Sequence, residues 1–408
     1  MVEVIPVLIG ISFILFFGYF AEFLFKKIHV PDVLLLILLG IVMGPFVLKY
    51  ISPAAVASYA PVFTTFALLF LLYDGAFNIN LASFAKGFVK SLNITLFNFI
   101  LSAAVITCIL YIVGLPILYA LLTGFILGGV SSAFVIPLLK QLNIKGKIYS
   151  VLTLESALTD VFCIVFALAT IEIIQLGSVS AQAIVVNIIS LFAIAGFIGV
   201  IAGIIWMVIV LRFFKGNKFY MLTVAYLIFL YVITELMQGN GAIAALFFGL
   251  VIRNSKQITV IFNKFILRKV NFNAVAVASK EEEVFYAQLT FFLKTFFFVY
   301  VGVLIDFSDI TLLLIGAGIA VALMLTRMLS RYIITGFEEK ERQLVTAIFA
   351  RGLAAAAIAQ IVLQMNLAYA STIAGVTYSA IFATIVLSSL RVFFHARTAT
   401  ATPLKSRR

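Results

Sequence analysis

The sequence predicts an all-α polytopic membrane protein with thirteen transmembrane helices, and three observations carry that expectation. Of 408 residues, 64% are hydrophobic and 11% charged, whereas soluble domains carry about 25% charged residues. Apolar runs long enough to cross a bilayer recur along the whole chain. The basic residues sit almost entirely in alternate connections between those runs.

The runs occupy 4–25, 33–50, 59–79, 91–113, 116–139, 149–175, 182–211, 219–237, 240–252, 286–305, 310–333, 342–366 and 372–394. All reach crossing length except the ninth, which is short. Glu3 stands where a secretory leader would be basic, and no small-residue cleavage pattern follows, so the first run reads as a retained helix. Periodicity adds little, because a helix surrounded by lipid or other helices is apolar all round. Charge tests the count independently. One alternating set of connections, with the run ends that flank them, holds every Lys and Arg except Lys49, Lys294, Arg327 and Arg351. Lys49 lies in the other set, and the remaining three lie inside runs. This bias puts the first set in the cytoplasm of a multi-pass cell-membrane protein, with the N-terminus outside and the C-terminus inside.

The net charge of +12 is then membrane anchoring, and nucleic acid is not an expected partner. The longest connection, 253–285, reads as an amphipathic interfacial helix or a linker. The short basic tail, 397–408, suits a membrane-surface contact or disorder. Cys108 and Cys163, both within apolar runs, make neither a disulfide framework nor a metal centre and read as filler.

Two spans are interrupted. The fifth carries Gly128, Gly129, Ser131, Ser132 and Pro137 at mid-depth. The twelfth carries Ala350-Arg351-Gly352-Leu353 before an alanine run. An unwound crossing exposes carbonyls and helix ends, as a cation site requires, and interruptions in corresponding positions of two halves, the pattern of inverted repeats, point to a transporter site. Small residues also make close packing seams, the other reading of both stretches.

The charges inside spans are few. Glu155, Ser156, Thr159 and Asp160 fall in the sixth, and Asp160 lies roughly 16 Å into it, mid-depth in a hydrocarbon layer about 30 Å thick. An acid there is a functional candidate by default. Ser156 shares its helix face. Glu155 and Arg327 lie equally deep from the cytoplasmic ends of the sixth and eleventh spans, so a buried structural ion pair is expected between them. Asp160 has no obligatory cation at its own depth, although Arg351 and Lys294 can each approach it. Left without a permanent partner, its carboxylate is contested by protons and metal ions. The other reading is a protonated, hydrogen-bonded structural acid. Asp74, towards the inner end of the third span, lines a cytoplasmic funnel or snorkels to the interface. Glu22, Glu172, Glu235, His29 and His395 read as interfacial. Lys294, among phenylalanines, is paired, snorkelled or functional.

Taken together these stretches resemble the cation:proton antiporter superfamily. Glu155-Ser156-xx-Thr159-Asp160 is similar to its Glu-Ser-xx-Asn-Asp stretch. Asp74-Gly75-Ala76, Glu235 to Gly249, Phe297 to Asp306, Arg327 and Arg351-Gly352-Leu353-Ala354 follow its other elements in order. The likeness is nearest to thirteen-helix prokaryotic sodium/proton antiporters. It implies a homodimer in the lipid bilayer, with two crossed broken helices in each protomer. Residues 1–90 and 182–305 would form a dimerisation scaffold with a linking helix, and 91–181 and 306–396 a six-helix transport core. It further implies that Asp160 takes cation and proton alternately. Ser156, Thr159, Asp74 and the oxygens of Val130, Ser131 and Ser132 would add ligands, with Na⁺ at Asp160 and Ser156. Glu155 and Arg327 would be the structural pair, and Arg351 and Lys294 auxiliary. No cofactor and no appended nucleotide-binding domain are expected.

This chain departs from the family pattern at two places. Thr159 replaces the Asn or Asp before the transport aspartate, which points to one proton per monovalent cation and electroneutral exchange. Val130-Ser131-Ser132 replaces a Thr-Asp-Pro stretch and is nearer the potassium-efflux branch, so a potassium/proton antiporter or potassium-efflux pathway is the alternative. A channel would need a carbonyl or acidic filter, and no TVGYG-like repeat occurs. An enzyme would need a nucleophile and base, and neither HExxH nor GxSxG occurs.

Overall fold

In lipid a main-chain N–H or C=O without a partner costs several kcal/mol, so a chain this apolar must close its hydrogen bonds within helices. The computed structural model describes residues 4–28, 31–53, 56, 59–77, 81–142, 144, 147–176, 181–213, 220–255, 257–258, 280–333 and 337–400. Among them the regular structure is helical: α1 (Val4–Ile28), α2 (Asp32–Met43), α3 (Ala60–Phe77), α4 (Leu81–Ile112), α5 (Ile117–Ile126), α6 (Ser132–Gln141), α7 (Lys147–Leu176), α8 (Ala181–Phe213), α9 (Tyr220–Leu236), α10 (Gly241–Arg253), α11 (Lys280–Leu304), α12 (Ile310–Ile333), α13 (Glu339–Ala347), α14 (Leu353–Gln364) and α15 (Ala370–Thr400). The helices α5 and α6 are halves of one interrupted crossing, as are α13 and α14, which leaves thirteen crossings. Among the described residues seven helices are themselves long and apolar enough to span a membrane, and the other crossings are shorter or broken.

The order long, broken, long occurs twice, in α4–α7 and in α12–α15. Four crossings, α8 to α11, separate the two sets of three, so the sets run in opposite senses and form an inverted repeat. Some boundaries depart from the apolar runs. The second run is helical only as far as Met43. Beyond it Gly44 and Pro45 end the helix, and the amides of Leu48, Lys49, Tyr50 and Ile51 turn back onto Val42, Met43 and Gly44 carbonyls. At the other extreme α4 begins at Leu81, well before its apolar run, and α15 continues to Thr400. Most of the 253–285 connection and residues 401–408 lie outside the described residues.

Two compact units emerge. The first comprises Met1–Thr64, Val89–Ile174 and Lys294–Arg408, and the second Thr65–Phe88 and Gln175–Leu293. This grouping assigns 1–64 and 294–305 together with both repeats, a different division from the one implied by the family resemblance. In the second unit α10 lies along α8 and α9. Glu235 and Asn240 accept the Gly241 and Ile243 amides, closing the first turn of α10. Asp74 is half-buried on α3 in this unit, where Tyr73 stacks edge-on against Tyr286.

In the first unit α15 lies against α12, α13 and α14. The face of α12 turned inward carries Gly316, Ile319, Ala320, Leu323, Arg327 and Ser330, while Leu314, Val321, Leu325, Met328 and Leu329 are exposed. Polar residues inside and aliphatic ones outside are what lipid as solvent demands. The helices α2 and α11 meet backbone to backbone: a Cβ on Gly40 would come within 2.9 Å of the Gly302 Cα, and the converse distance is the same. Such small-residue seams let membrane helices gain dispersion contacts that aliphatic burial in lipid cannot supply. Gly302→Val is therefore expected to lower the melting temperature of the purified protein, by the equivalent of about 1–3 kcal/mol or more. Gly318→Val, whose Cβ would meet nothing within 4 Å, should melt like the parent.

Candidate functional site

The two interruptions meet in the first unit. Between α5 and α6 the residues 127–131 leave the helical path, and between α13 and α14 the residues 348–352 do the same. The Ser131 amide donates to the Ala350 carbonyl at 2.9 Å, so one break completes the other. Close approach requires Gly352, because a Cβ there would come within 2.6 Å of the Ser131 Cβ.

The amides of Leu127 and Gly128 turn back onto α5, and those of Gly129, Val130 and Ser132 go to α7. The Gly129 amide donates to Cys163 Sγ at 3.1 Å, and the Val130 amide to Thr159 Oγ1 at 3.0 Å. The Ser132 amide points to Asp160 Oδ2 at 3.4 Å, and the Ser132 hydroxyl donates to the same oxygen at 2.5 Å. Asp160 thus sits at the N-terminus of α6, where unpaired amides carry partial positive charge. Thr159 is held in turn by donating to the Ser156 carbonyl at 3.2 Å. Ser156 is fully buried and donates to the Thr153 carbonyl at 3.0 Å, which leaves its oxygen lone pairs available.

Glu155 faces elsewhere, since five residues along a helix turn the side chain by about 140°. Arg327 grips both of its oxygens, the Nη2–Oε2 contact being 2.9 Å, and also donates through Nε to the Val345 carbonyl. Asn98 on α4 donates to Glu155 Oε1 at 2.7 Å and accepts from the Ser330 hydroxyl at 2.6 Å. One polar network therefore ties α4, α7, α12 and α13.

The other two intramembrane cations are engaged away from Asp160. Arg351, 2% exposed, donates to the Gly128 carbonyl at 2.9 Å and to Ser102 Oγ at 3.0 Å. It neutralises the carbonyl end of α5 just as the α6 amides face Asp160. Lys294 pairs with Asp32 at 2.6 Å, joining α11 to α2. Among the described residues no lysine or arginine forms an ion pair with Asp160, which is itself 5% exposed. A cavity of about 10 Å³, room for one water-sized group, lies between α4, α12 and the breaks, lined by Asn98, Ser102, Val130, Thr326, Arg327 and Arg351.

Sequence reasoning overlooked Asp32, Asn98, Ser102 and Ser330 and read Cys163 as filler. Asp32 had a legible signal, an acid immediately after Pro31 at the head of an apolar run. Asn98 and Ser102 lie four residues apart on α4, a polar stripe in an otherwise apolar span. Asp74 belongs to the other unit, and among the described residues no cluster of three or more His, Cys, Asp or Glu could hold a resident metal.

Interrupted helices from an inverted repeat, crossing beside a buried acid that no described lysine or arginine pairs with, define a secondary transporter of the membrane. The model of the transmembrane sodium/hydrogen exchanger family matches residues 11–395, and the chain belongs to that family. A probable Na(+)/H(+) antiporter of Methanocaldococcus jannaschii is 30% identical over 192 residues, 45% of this chain and 44% of that protein. The K(+)/H(+) antiporter NhaP2 of Shewanella oneidensis is 22% identical over 237 residues, 56% of this chain and 40% of that protein. The chain thus spans less than half the length of these two relatives. Among solved structures, the sodium proton antiporter MjNhaP1 from Methanocaldococcus jannaschii at pH 8 is similar in fold. It has a TM-score of 0.77 at 20% identity and covers 98% of this chain and 100% of that one.

Removing Arg327 would leave Glu155 buried without its cation. Arg327→Ala is expected to cost about 3–5 kcal/mol of stability, read as a lower melting temperature. Arg327→Met with Glu155→Gln, which removes both charges, should recover most of the loss.

Proposed function

We propose that the chain is an antiporter that exchanges a monovalent cation, Na⁺ or Li⁺, for H⁺ by alternating access, with both competing for Asp160. The observation that carries this reading is the contrast between the two acids of α7. Glu155 is held by Arg327 and Asn98, whereas the partner of Asp160 is Ser132. A hydroxyl is an apt partner because it works in both directions. It donates to an ionised carboxylate, accepts from a protonated one, and turns its lone pairs to a metal ion. Asp160, Ser156, Ser132, Thr159 and the Val130 and Ser131 carbonyls offer the all-oxygen surroundings that small hard cations favour.

With Thr159 beside Asp160, one carboxylate carries one charge, so one proton replaces one cation and the exchange is electroneutral. The family assignment, the Na(+)/H(+) relative and the fold shared with a sodium proton antiporter support this reading. The K(+)/H(+) relative and the Ser131-Ser132 pair favour potassium as the second cargo to test. The chain functions as a homodimer in the cell membrane, with the N-terminus outside and the C-terminus in the cytoplasm. Residues 1–90 and 182–305 form its scaffold, 91–181 and 306–396 its moving core, and Glu155–Arg327 a structural pair.

Proton flux in proteoliposomes tests the proposal against Na⁺, Li⁺ and K⁺ in turn. Asp160→Asn should reduce exchange to the background of empty vesicles while the purified protein melts at or above the parent's temperature. Full exchange in that variant removes Asp160 from the site. Imposing a membrane potential should leave the parent's rate unchanged; a strong voltage dependence rules out one-for-one exchange.

A further inference from the structure

The second repeat contains a clamp like that of the first, built by two residues of α15 to which the exchange reaction has assigned nothing. The Arg351 amide donates to Thr384 Oγ1 at 3.1 Å, and the Phe349 amide to Ser388 Oγ at 3.4 Å. In the first repeat Thr159 and Cys163 accept the Val130 and Gly129 amides. Both pairs are four residues apart, one helical turn, and in both the threonine accepts from the later residue of its break. The local bonding matches as well: Thr159 donates three residues back to Ser156, and Thr384 three residues back to Ile381. The Ser388 hydroxyl also donates to the Ala347 carbonyl at 2.8 Å, closing the end of α13.

Once the repeats are aligned on these clamps, Asp160 corresponds to Ile385 and Ser156 to Ile381. Only one repeat carries the acid and its neighbouring hydroxyl. At the break itself Val130 corresponds to Arg351, so the other repeat supplies a fixed cation. The second clamp therefore has no cargo of its own to hold, yet it reaches the cargo site by two routes. Arg351, with its amide on Thr384, holds the Gly128 carbonyl at the end of α5. Ala350, between the two clamped amides, accepts from Ser131, next to the Ser132 that bonds Asp160.

We propose that Thr384 and Ser388 are positioning residues for the exchange, fixing the second break and through it the stretch 128–132 that faces Asp160. This rests on Asp160 being the exchange site. Removing an acceptor leaves a buried amide unsatisfied, and the strain falls on the surroundings of Asp160 rather than on one helix alone.

The test compares Thr384→Val, Thr384→Ser and Ser388→Ala with the parent. Hydrogen–deuterium exchange over residues 347–353 and the Na⁺ or Li⁺ concentration for half-maximal proton flux in proteoliposomes are the readouts. Thr384→Val should speed amide exchange in that segment. It should also raise the half-saturating concentration roughly tenfold, the equivalent of about 1.4 kcal/mol. Thr384→Ser, which restores the hydroxyl, should return both readouts to the parent's values. Should Thr384→Val fail to fold, Ser388→Ala reads the same quantities at the neighbouring amide. Parental half-saturation in both Thr384→Val and Ser388→Ala overturns the proposal, as does Thr384→Ser behaving like Thr384→Val. Asp160→Asn in the same assay separates the two levels. If it loses exchange while the clamp variants match the parent, only the positioning role falls; if it retains exchange, the cation site falls and the positioning role with it.

Discussion

Interrupting a helix in the middle of a membrane releases main-chain amides and carbonyls into a medium that cannot hydrate them, and much of this protein's core supplies replacements. The amides of Gly129, Val130, Ser131 and Ser132 go to Cys163, Thr159, the Ala350 carbonyl and Asp160. The amides of Phe349 and Arg351 go to Ser388 and Thr384. Helices α7 and α15 are thus apolar spans whose few hydroxyl, thiol and carboxyl groups serve as external partners for backbone that has none of its own. Crossing the two breaks is part of the same solution, since each supplies one partner to the other.

Charge is distributed by a related economy. Glu155 and Asp160 are close in sequence but point to different sides of α7. The first meets a guanidinium, an amide and, through the amide, a hydroxyl; the second meets the amide end of α6. Arg351 and the helix ends provide compensating fixed charge without touching Asp160. A carboxylate held only by a serine hydroxyl and a helix N-terminus can exchange one occupant for another, because neither partner has to leave when the occupant changes. An arginine in bidentate contact would have to be displaced, and inside the membrane that displacement is costly.

The pair Lys294–Asp32 shows how far such contacts reach along the chain. It anchors the middle of α11 to the head of α2, and the Gly40–Gly302 approach and the edge-on Phe46–Phe307 contact at 5.7 Å continue the same seam. On another side α11 donates from Tyr300 to Gln360 on α14, which also accepts from Tyr378 on α15. A single helix therefore links α2 to the second interrupted crossing within one unit.

The sequence by itself determined the class of fold, the number of crossings and the positions of the interruptions. These depend on local quantities: how long an apolar run is, which side of it carries lysine and arginine, and where glycine, serine and proline weaken the helical ladder. Depth along a helix is equally local, and counting residues was enough to name Arg327 as a counterpart for Glu155. Tertiary structure alone decided which oxygen receives which amide, that Arg351 turns to Gly128 and Lys294 to Asp32, and that Thr384 and Ser388 repeat the arrangement of Thr159 and Cys163. Those choices depend on the rotation and tilt of each helix about its axis. In a chain that is apolar on every face, no periodicity records that rotation. Only the packing of the whole core fixes it.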